Sequence, residues 1–179
     1  ENLYTRMSSL SEEIDNNKLD EAKLVDTMIQ DGLWDAFNWY HMGVTAENVA
    51  SKWKINREEQ DNFSLSSQLK TKKAQDEGKF KNEIIPITID GKNKIEIDEH
   101  PRSDMTLERL SKLKPSFKSD GTVTPGNASG INDGAAAVVL MSFDEEKTIN
   151  LNPLAKIVSW ATCGVDPSVM GSGPIPASK

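Results

Sequence analysis

The feature that most constrains the fold of this chain is a glycine-rich stretch that leads directly into an apolar segment. Residues 112–134 contain four glycines, and residues 135–141 (AAAVVLM) form a continuous apolar run. Glycine admits positive φ and the close approach of a ligand or another backbone. A short apolar run of this kind is typical of a buried strand. The residues alone leave open whether the loop before this strand lines a pocket or is a tightly packed turn.

Charge and composition exclude several classes of function. The chain has 179 residues and a formal net charge of −7, which argues against general nucleic-acid binding, because that requires a basic surface. No apolar run approaches the length of a membrane span. The one cysteine, Cys163, excludes an internal disulfide and favours a reducing compartment. The two histidines, His41 and His100, leave little room for a structural zinc site.

Three helices are predicted in the first half of the chain. Apolar spacing from Leu24 predicts a helix that ends at Gly32, and Thr45 is the predicted N-cap of a second helix over 46–54. Asn56 and Glu59 have the spacing of a capping box, which predicts a long helix over 57–77 with Gly78 as its stop.

The rest of the chain predicts a hairpin, two short helices and two buried strands. Isoleucines alternate over 83–98 around an Asp-Gly turn, which is typical of a β-hairpin. Thr106 is the predicted N-cap of a short helix over 107–113, and a second short helix is predicted over 144–148. The apolar runs predict buried strands over 135–141 and 154–160.

Three motifs in register resemble the thiolase family, the acetyl-CoA acetyltransferases. They are residues 40–50 (YHMGVTAENVA), 121–137 (GTVTPGNASGINDGAAA) and 157–176 (IVSWATCGVDPSVMGSGPIP). The segments 57–61 (REEQD) and 98–102 (DEHPR) lie between them in the order that the family has. The resemblance runs from about Leu24 to Lys179 and is far more specific than one glycine motif.

The resemblance implies an α/β fold, a duplicated unit layered helix–sheet–helix–sheet–helix, with a loop domain of helices and a small hairpin. It places this chain in the middle of a longer protein, so we expect a thiolase-like fragment that is truncated at its end. The implied division is an atypical acidic segment 1–23, a loop (cap) domain 24–120, the end of the N-terminal half 121–150, and the start of the C-terminal half 151–179.

The activity that the resemblance implies is the condensation of two acetyl-CoA to acetoacetyl-CoA and CoA, or the reverse thiolysis. The family uses two cysteines and a histidine, with coenzyme A thioesters as substrates and no further cofactor. None of these catalytic residues matches a position here, since Cys163, His41 and His100 lie in other segments. We therefore expect no catalytic residue in this chain, no metal, and no activity of the chain alone.

The resemblance assigns part of the coenzyme A pocket to this chain. Three residues correspond to positions near the pantetheine arm and the acyl group, and four to positions around the nucleotide, adenine and pantetheine. They are Leu33, His41 and Met42 in the first group, and Arg102, Leu110, Phe117 and Ser129 in the second. Pro125 departs from the alanine usual in the family, and proline removes an N–H and adds bulk.

Three functional hypotheses remain open. The favoured one is a thiolase fragment that contributes acyl-CoA binding, with acetyl-CoA or acetoacetyl-CoA as ligand. The others are a non-catalytic binding or interaction protein of thiolase origin, and a complete enzyme whose other parts lie in separate chains or outside this sequence. Expected partners are the remainder of a thiolase chain or further copies in a homo-oligomer, although residues 8–22 are acidic where the family forms a tetramer contact. The expected location is cytoplasmic, with mitochondrial as the alternative.

Overall fold

The structure is a computed structural model that describes residues 25–145 and 152–179. A π-helical turn, Met28–Gly32, precedes a short antiparallel pair, β1 (Trp34–Asp35) and β2 (Tyr40–His41), with Trp34 opposite His41. The predicted stop at Gly32 is confirmed, but the helix before it is one turn. Leu24 lies outside the described residues.

Two helices are the main secondary-structure elements of the molecule. α1 (Met42–Trp53) begins directly after β2, and its N-cap is His41, whose Nδ1 accepts a hydrogen bond from the Gly43 amide. The prediction that Thr45 is the cap was wrong, because the ring nitrogen of His41 supplies the acceptor one turn earlier. Thr45 lies inside the helix, is buried, and its hydroxyl has no hydrogen-bond partner among the described residues.

The long helix α2 (Arg57–Asp76) confirms the predicted capping box. The Asn56 side chain accepts from the Glu59 amide, and the Glu59 carboxylate accepts from the Asn56 amide. Just beyond its end, Gly78 has φ +68°, a conformation that suits glycine. α2 buries only Asp61, so its packed face is polar.

The predicted hairpin is present and shorter than the alternation suggested. β3 (Ile87–Ile89) pairs antiparallel with β4 (Asn93–Ile95), and Asp90 and Gly91 both have positive φ in the turn. α3 (Leu107–Ser111) begins at the predicted cap, since the Thr106 hydroxyl accepts from the Arg109 amide. Its buried residue is Leu110.

The two predicted buried strands do not form within the described part of the chain. Residues 129–142 and 155–166 have neither helix nor strand, and Val139 and Val158 are 87% and 88% exposed. A strand is stabilised by hydrogen bonds to a neighbouring strand, and the described residues provide no such neighbour here. Residues 143–145 are helical, and the remainder of the predicted helix over 144–148 lies mostly outside the described residues.

The chain closes with a 3-10 helix, Pro167–Ser172, followed by a helical turn, Pro174–Ala177. The Asn48 amide of α1 donates to the Ser168 carbonyl, with Nδ2 and the carbonyl oxygen 3.0 Å apart. The end of the described chain therefore packs on the same helix that carries His41 at its start. Among the described residues, no helix is long and apolar enough to span a membrane.

Candidate functional site

An aromatic stack lies at the start of α1. The rings of His41 and Phe117 are stacked with centroids 4.8 Å apart and planes at 23°. Gly43, one residue into the helix, lies against the Phe117 ring, and a Cβ at this position would overlap it. The missing side chain at Gly43 therefore lets Phe117 reach His41.

The β1–β2 hairpin places two further candidate residues beside this stack. The Met42 amide donates to the Leu33 carbonyl over 2.8 Å, and both side chains are half-buried. Since Met42 directly follows His41, the structure brings Leu33, His41 and Met42 into one group, which Phe117 joins through its ring.

The glycine-rich loop, residues 121–127, is bound to α1 by one carboxylate. Glu47 is buried, and its oxygens accept hydrogen bonds from the amides of Thr122 and Val123 and from the Thr122 hydroxyl. Gly121 lies against this carboxylate, and a Cβ there would overlap Oε1. The start of the loop is therefore fixed by a buried acceptor and by the small size of Gly121.

The other end of the glycine-rich loop is bound to α2. The Asn127 amide donates to Asp61 Oδ1 and to the Thr122 carbonyl, each over 3.0 Å, and its Oδ1 accepts from the Thr124 amide. The Ser64 hydroxyl donates to the Gly126 carbonyl. Two helices thus hold a loop that contains no regular secondary structure.

Leu110 lies beneath the glycine-rich loop. It is 0% exposed, and a Cβ on Gly126 would overlap its side chain. Arg57 donates to the carbonyls of Leu110 and Leu113, at 2.6 and 3.0 Å, and also pairs with Asp61. Leu110 therefore supports the loop from below.

Arg102 and Ser129 are exposed and lie on segments other than those that carry the aromatic stack. The Arg102 amide donates to Gln68 Oε1 of α2, and its side chain is exposed. Ser129 is exposed just past the glycine-rich loop, and the next residue, Gly130, lies against the His100 ring. The contact between His100 and Gly130 brings these two segments next to each other.

Sequence reasoning missed the polar residues that hold the site, Glu47, Asp61 and Asn127. A signal for Glu47 was available: Gly43, Glu47 and Ala50 recur at helical spacing and share the buried face of α1. A charged residue on a face of otherwise small residues indicates a buried hydrogen-bonding role.

One acid next to the site has a perturbed pKa. Asp35, at the end of β1, accepts from the Asn38 side-chain amide and from the amides of Asn38 and Phe37. These donors favour the ionised form and hold the pKa of Asp35 below its usual 3.8, against the opposing effect of burial. Within the described residues, no group of three or more His, Cys, Asp or Glu side chains is placed to hold a metal ion.

Comparison with known proteins finds relatives that share one name, acetyl-CoA acetyltransferase. An acetyl-CoA acetyltransferase of Paracoccus denitrificans is 56% identical over 165 residues, which cover 90% of this chain and 42% of the relative. The cytosolic acetyl-CoA acetyltransferase of Rattus norvegicus is 54% identical over 167 residues, again 90% of this chain and 42% of the relative. The chain therefore spans about two fifths of the length of the curated relatives that it matches.

Solved structures agree with these relatives. The Bacillus anthracis acetyl-CoA acetyltransferase matches with a TM-score of 0.80 and 45% identity over 90% of this chain and 42% of that one. Human mitochondrial 3-ketoacyl-CoA thiolase in complex with CoA matches with a TM-score of 0.80 and 49% identity, over 87% and 39% of the two chains. These two matches show that this chain has the α/β thiolase fold over the part of the thiolase chain that it covers. The family profile described as "Thiolase, N-terminal domain" matches residues 1–144, and the chain belongs to the thiolase family.

Proposed function

We propose that this chain contributes the acyl-CoA-binding cap of an acetyl-CoA C-acetyltransferase, which joins two acetyl-CoA to acetoacetyl-CoA and CoA or runs the reverse thiolysis. The observation that carries the proposal is the stack of His41 and Phe117 beside a rigidly held glycine-rich loop. A flat apolar ring next to backbone amides and carbonyls suits a long ligand with apolar and amide groups along its length. The names of the relatives supply the ligand class.

Each candidate residue has a chemical role in this proposal. Phe117, stacked on His41, offers a half-buried apolar face to the pantetheine arm, and Arg102 offers an exposed cation to a phosphate. Ser129 offers an exposed hydroxyl to the pantetheine amides. Leu33 and Met42 border the acyl end next to His41, and Leu110 supports the loop beneath the ligand.

Catalysis requires groups that we do not assign to this sequence. Acyl transfer between thioesters needs a thiolate nucleophile, a general base, and donors for the oxyanion and enolate. We propose that the remainder of a thiolase chain supplies them, and that coenzyme A takes part as a substrate rather than as a bound cofactor. No metal is proposed for this chemistry.

We place the protein in the cytoplasm, with mitochondria as the alternative, because both cytosolic and mitochondrial proteins occur among its relatives. We further propose that it acts in a homo-oligomer or with the rest of a thiolase chain. The location rests on the relatives, and the association with other chains rests on the exposed apolar side chains within residues 138–143 and 154–160.

The binding proposal is tested by titrating CoA into the purified 179-residue chain, by calorimetry and by ligand-observed NMR. We expect an affinity weaker than about 1 μM, because a partial pocket must order itself to bind. Phe117→Ala is expected to weaken binding by about tenfold or more, since it removes an aromatic contact. Phe63→Ala, which removes an exposed ring on α2, is the matched control and leaves the affinity unchanged.

The same preparation, assayed with acetoacetyl-CoA and CoA, is expected to show no thiolysis. Absence of CoA binding at millimolar ligand, or equal binding by the chain and its Phe117→Ala variant, would overturn the binding proposal. Turnover by a preparation that mass spectrometry finds free of other thiolases would overturn the expectation of inactivity.

A further inference from the structure

Glu47 is a buried carboxylate whose hydrogen bonds go to a single loop. The residue is 6% exposed. Oε1 accepts from the amides of Thr122 and Val123, each at 2.8 Å, and Oε2 accepts from the amide and hydroxyl of Thr122, each at 3.0 Å. Within the described part of the chain, Glu47 forms no ion pair.

A buried carboxylate of this kind stabilises one position of the loop that donates hydrogen bonds to it. Because no cation is paired with Glu47 there, the N–H and O–H groups of residues 122–123 carry the compensation of its charge. A small displacement of the loop would weaken these hydrogen bonds before water could replace them, which is unfavourable. The contact therefore fixes the position of the loop as well as adding stability.

Val123 transmits this position to the aromatic stack. Its N–H donates to Glu47, and its carbonyl accepts from the Ser116 amide over 2.9 Å. The second bond closes a loop over residues 116–123, and Phe117 lies just inside that closure. A displacement of Val123 by Glu47 is thus passed to the residue that stacks on His41.

We propose that Glu47 is a positioning residue for acyl-CoA binding, which acts by holding the Phe117 ring over His41 through Val123. It does not contact the ligand in this proposal. The proposal rests on the function proposed above, because it names the residue that sets the geometry of the same site.

The test uses two variants that disturb the contact in different ways. Glu47→Gln keeps the shape but turns an N–H donor toward the donors of Thr122. Gly121→Ala keeps the carboxylate but places a methyl group where Oε1 lies. The matched controls are Glu58→Gln, at an exposed position in the first turn of α2, and Gly164→Ala, at a glycine with no neighbour within 4 Å of the added Cβ.

Two readouts separate positioning from general support. The first is the Gly43 amide proton shift in ¹H–¹⁵N NMR, which senses the Phe117 ring because the ring lies directly on Gly43. The second is CoA affinity in a double-mutant cycle with Phe117→Ala. We expect both variants to move the Gly43 shift and to weaken CoA binding about tenfold. The double variant Glu47→Gln/Phe117→Ala should bind no more weakly than Phe117→Ala, and both controls should match the unsubstituted chain.

The outcomes distinguish this inference from the proposed function. If the chain binds no CoA, the proposed function fails, while the Gly43 shift still tests whether Glu47 positions the ring. An unchanged Gly43 shift in Gly121→Ala, or fully additive losses of affinity in the cycle, would overturn the positioning role. Should Glu47→Gln fail to fold, Gly121→Ala paired with Phe117→Ala supplies the same cycle.

Discussion

Asp35 fixes the turn through which the chain approaches His41. Its carboxylate accepts hydrogen bonds from the Phe37 and Asn38 amides at 2.8 and 3.0 Å. The turn ends at Trp39, which has φ 58°, a conformation that costs a bulky residue about 1–3 kcal/mol. The hydrogen bonds to Asp35 offset part of that cost and let Tyr40–His41 pair with Trp34–Asp35.

Replacing Asn38 by alanine is expected to raise the pKa of Asp35 toward 3.8, because the Asn38 side-chain amide is the largest cause of its lowering. The measurement is a ¹³C NMR titration of the Asp35 carboxyl in both chains. Since the pKa is lower in the folded chain, the ionised carboxylate stabilises the fold above pH about 3.8, and this contribution is lost as the pH falls further. A pKa at or above 3.8 in the unsubstituted chain would contradict the assignment.

The hydrogen-bond partners that hold the candidate site were beyond reach of local sequence patterns. Leu33, His41 and Met42 are close in sequence, and motif resemblance was enough to group them. Glu47 and Asp61 bind atoms 75 and 66 residues further along the chain. Such partners depend on how two helices and a loop pack, which no local pattern specifies.

At the level of elements, the N-terminal cap of α2 contributes more to its stability than the packing of its sides does. Its interior buries only Asp61, while its first turn has a complete capping box. A capping box depends on residues three positions apart, so the sequence alone predicts it well. The predicted bounds of 57–77 differ from the observed Arg57–Asp76 by one residue. The strands expected over 135–141 and 154–160 do not form, because a strand needs a pairing partner and the described residues provide none there.

Asn56→Ala is expected to destabilise the chain by about 1 kcal/mol, because it leaves the Glu59 amide without its side-chain acceptor. Urea unfolding followed by circular dichroism measures the change in the free energy of unfolding. Asn62→Ala, an exposed position within the same helix, is the control and should cause no loss. Equal stability of the two variants would count against the capping box as a determinant of α2.

At the scale of the whole molecule, many large apolar side chains are exposed to solvent. Val138, Val139, Leu154, Val158 and Trp160 are each more than 80% exposed. Apolar side chains exposed to this extent favour association with other apolar surfaces. The helices and the glycine-rich loop are held by polar contacts, whereas these segments are not covered within the described residues.

The isolated chain is therefore expected to self-associate at micromolar concentration, which sedimentation velocity would detect as species larger than 19.8 kDa. Val139→Lys and Val158→Lys should each reduce association, because they place a charge in the apolar surface. Ala46→Lys, at an exposed position on α1, is the control. A monomer with one cooperative melting transition would show that these segments are covered in solution.

The distance in sequence between Glu47 and its loop also orders events during synthesis. Translation at about 5–20 residues per second delivers Thr122 roughly 4–15 s after Glu47. In that interval α1 can form, but its carboxylate has only water to bind, and Phe117 has no fixed place over His41. The candidate site therefore assembles late on the ribosome, after both helices that support it have been made.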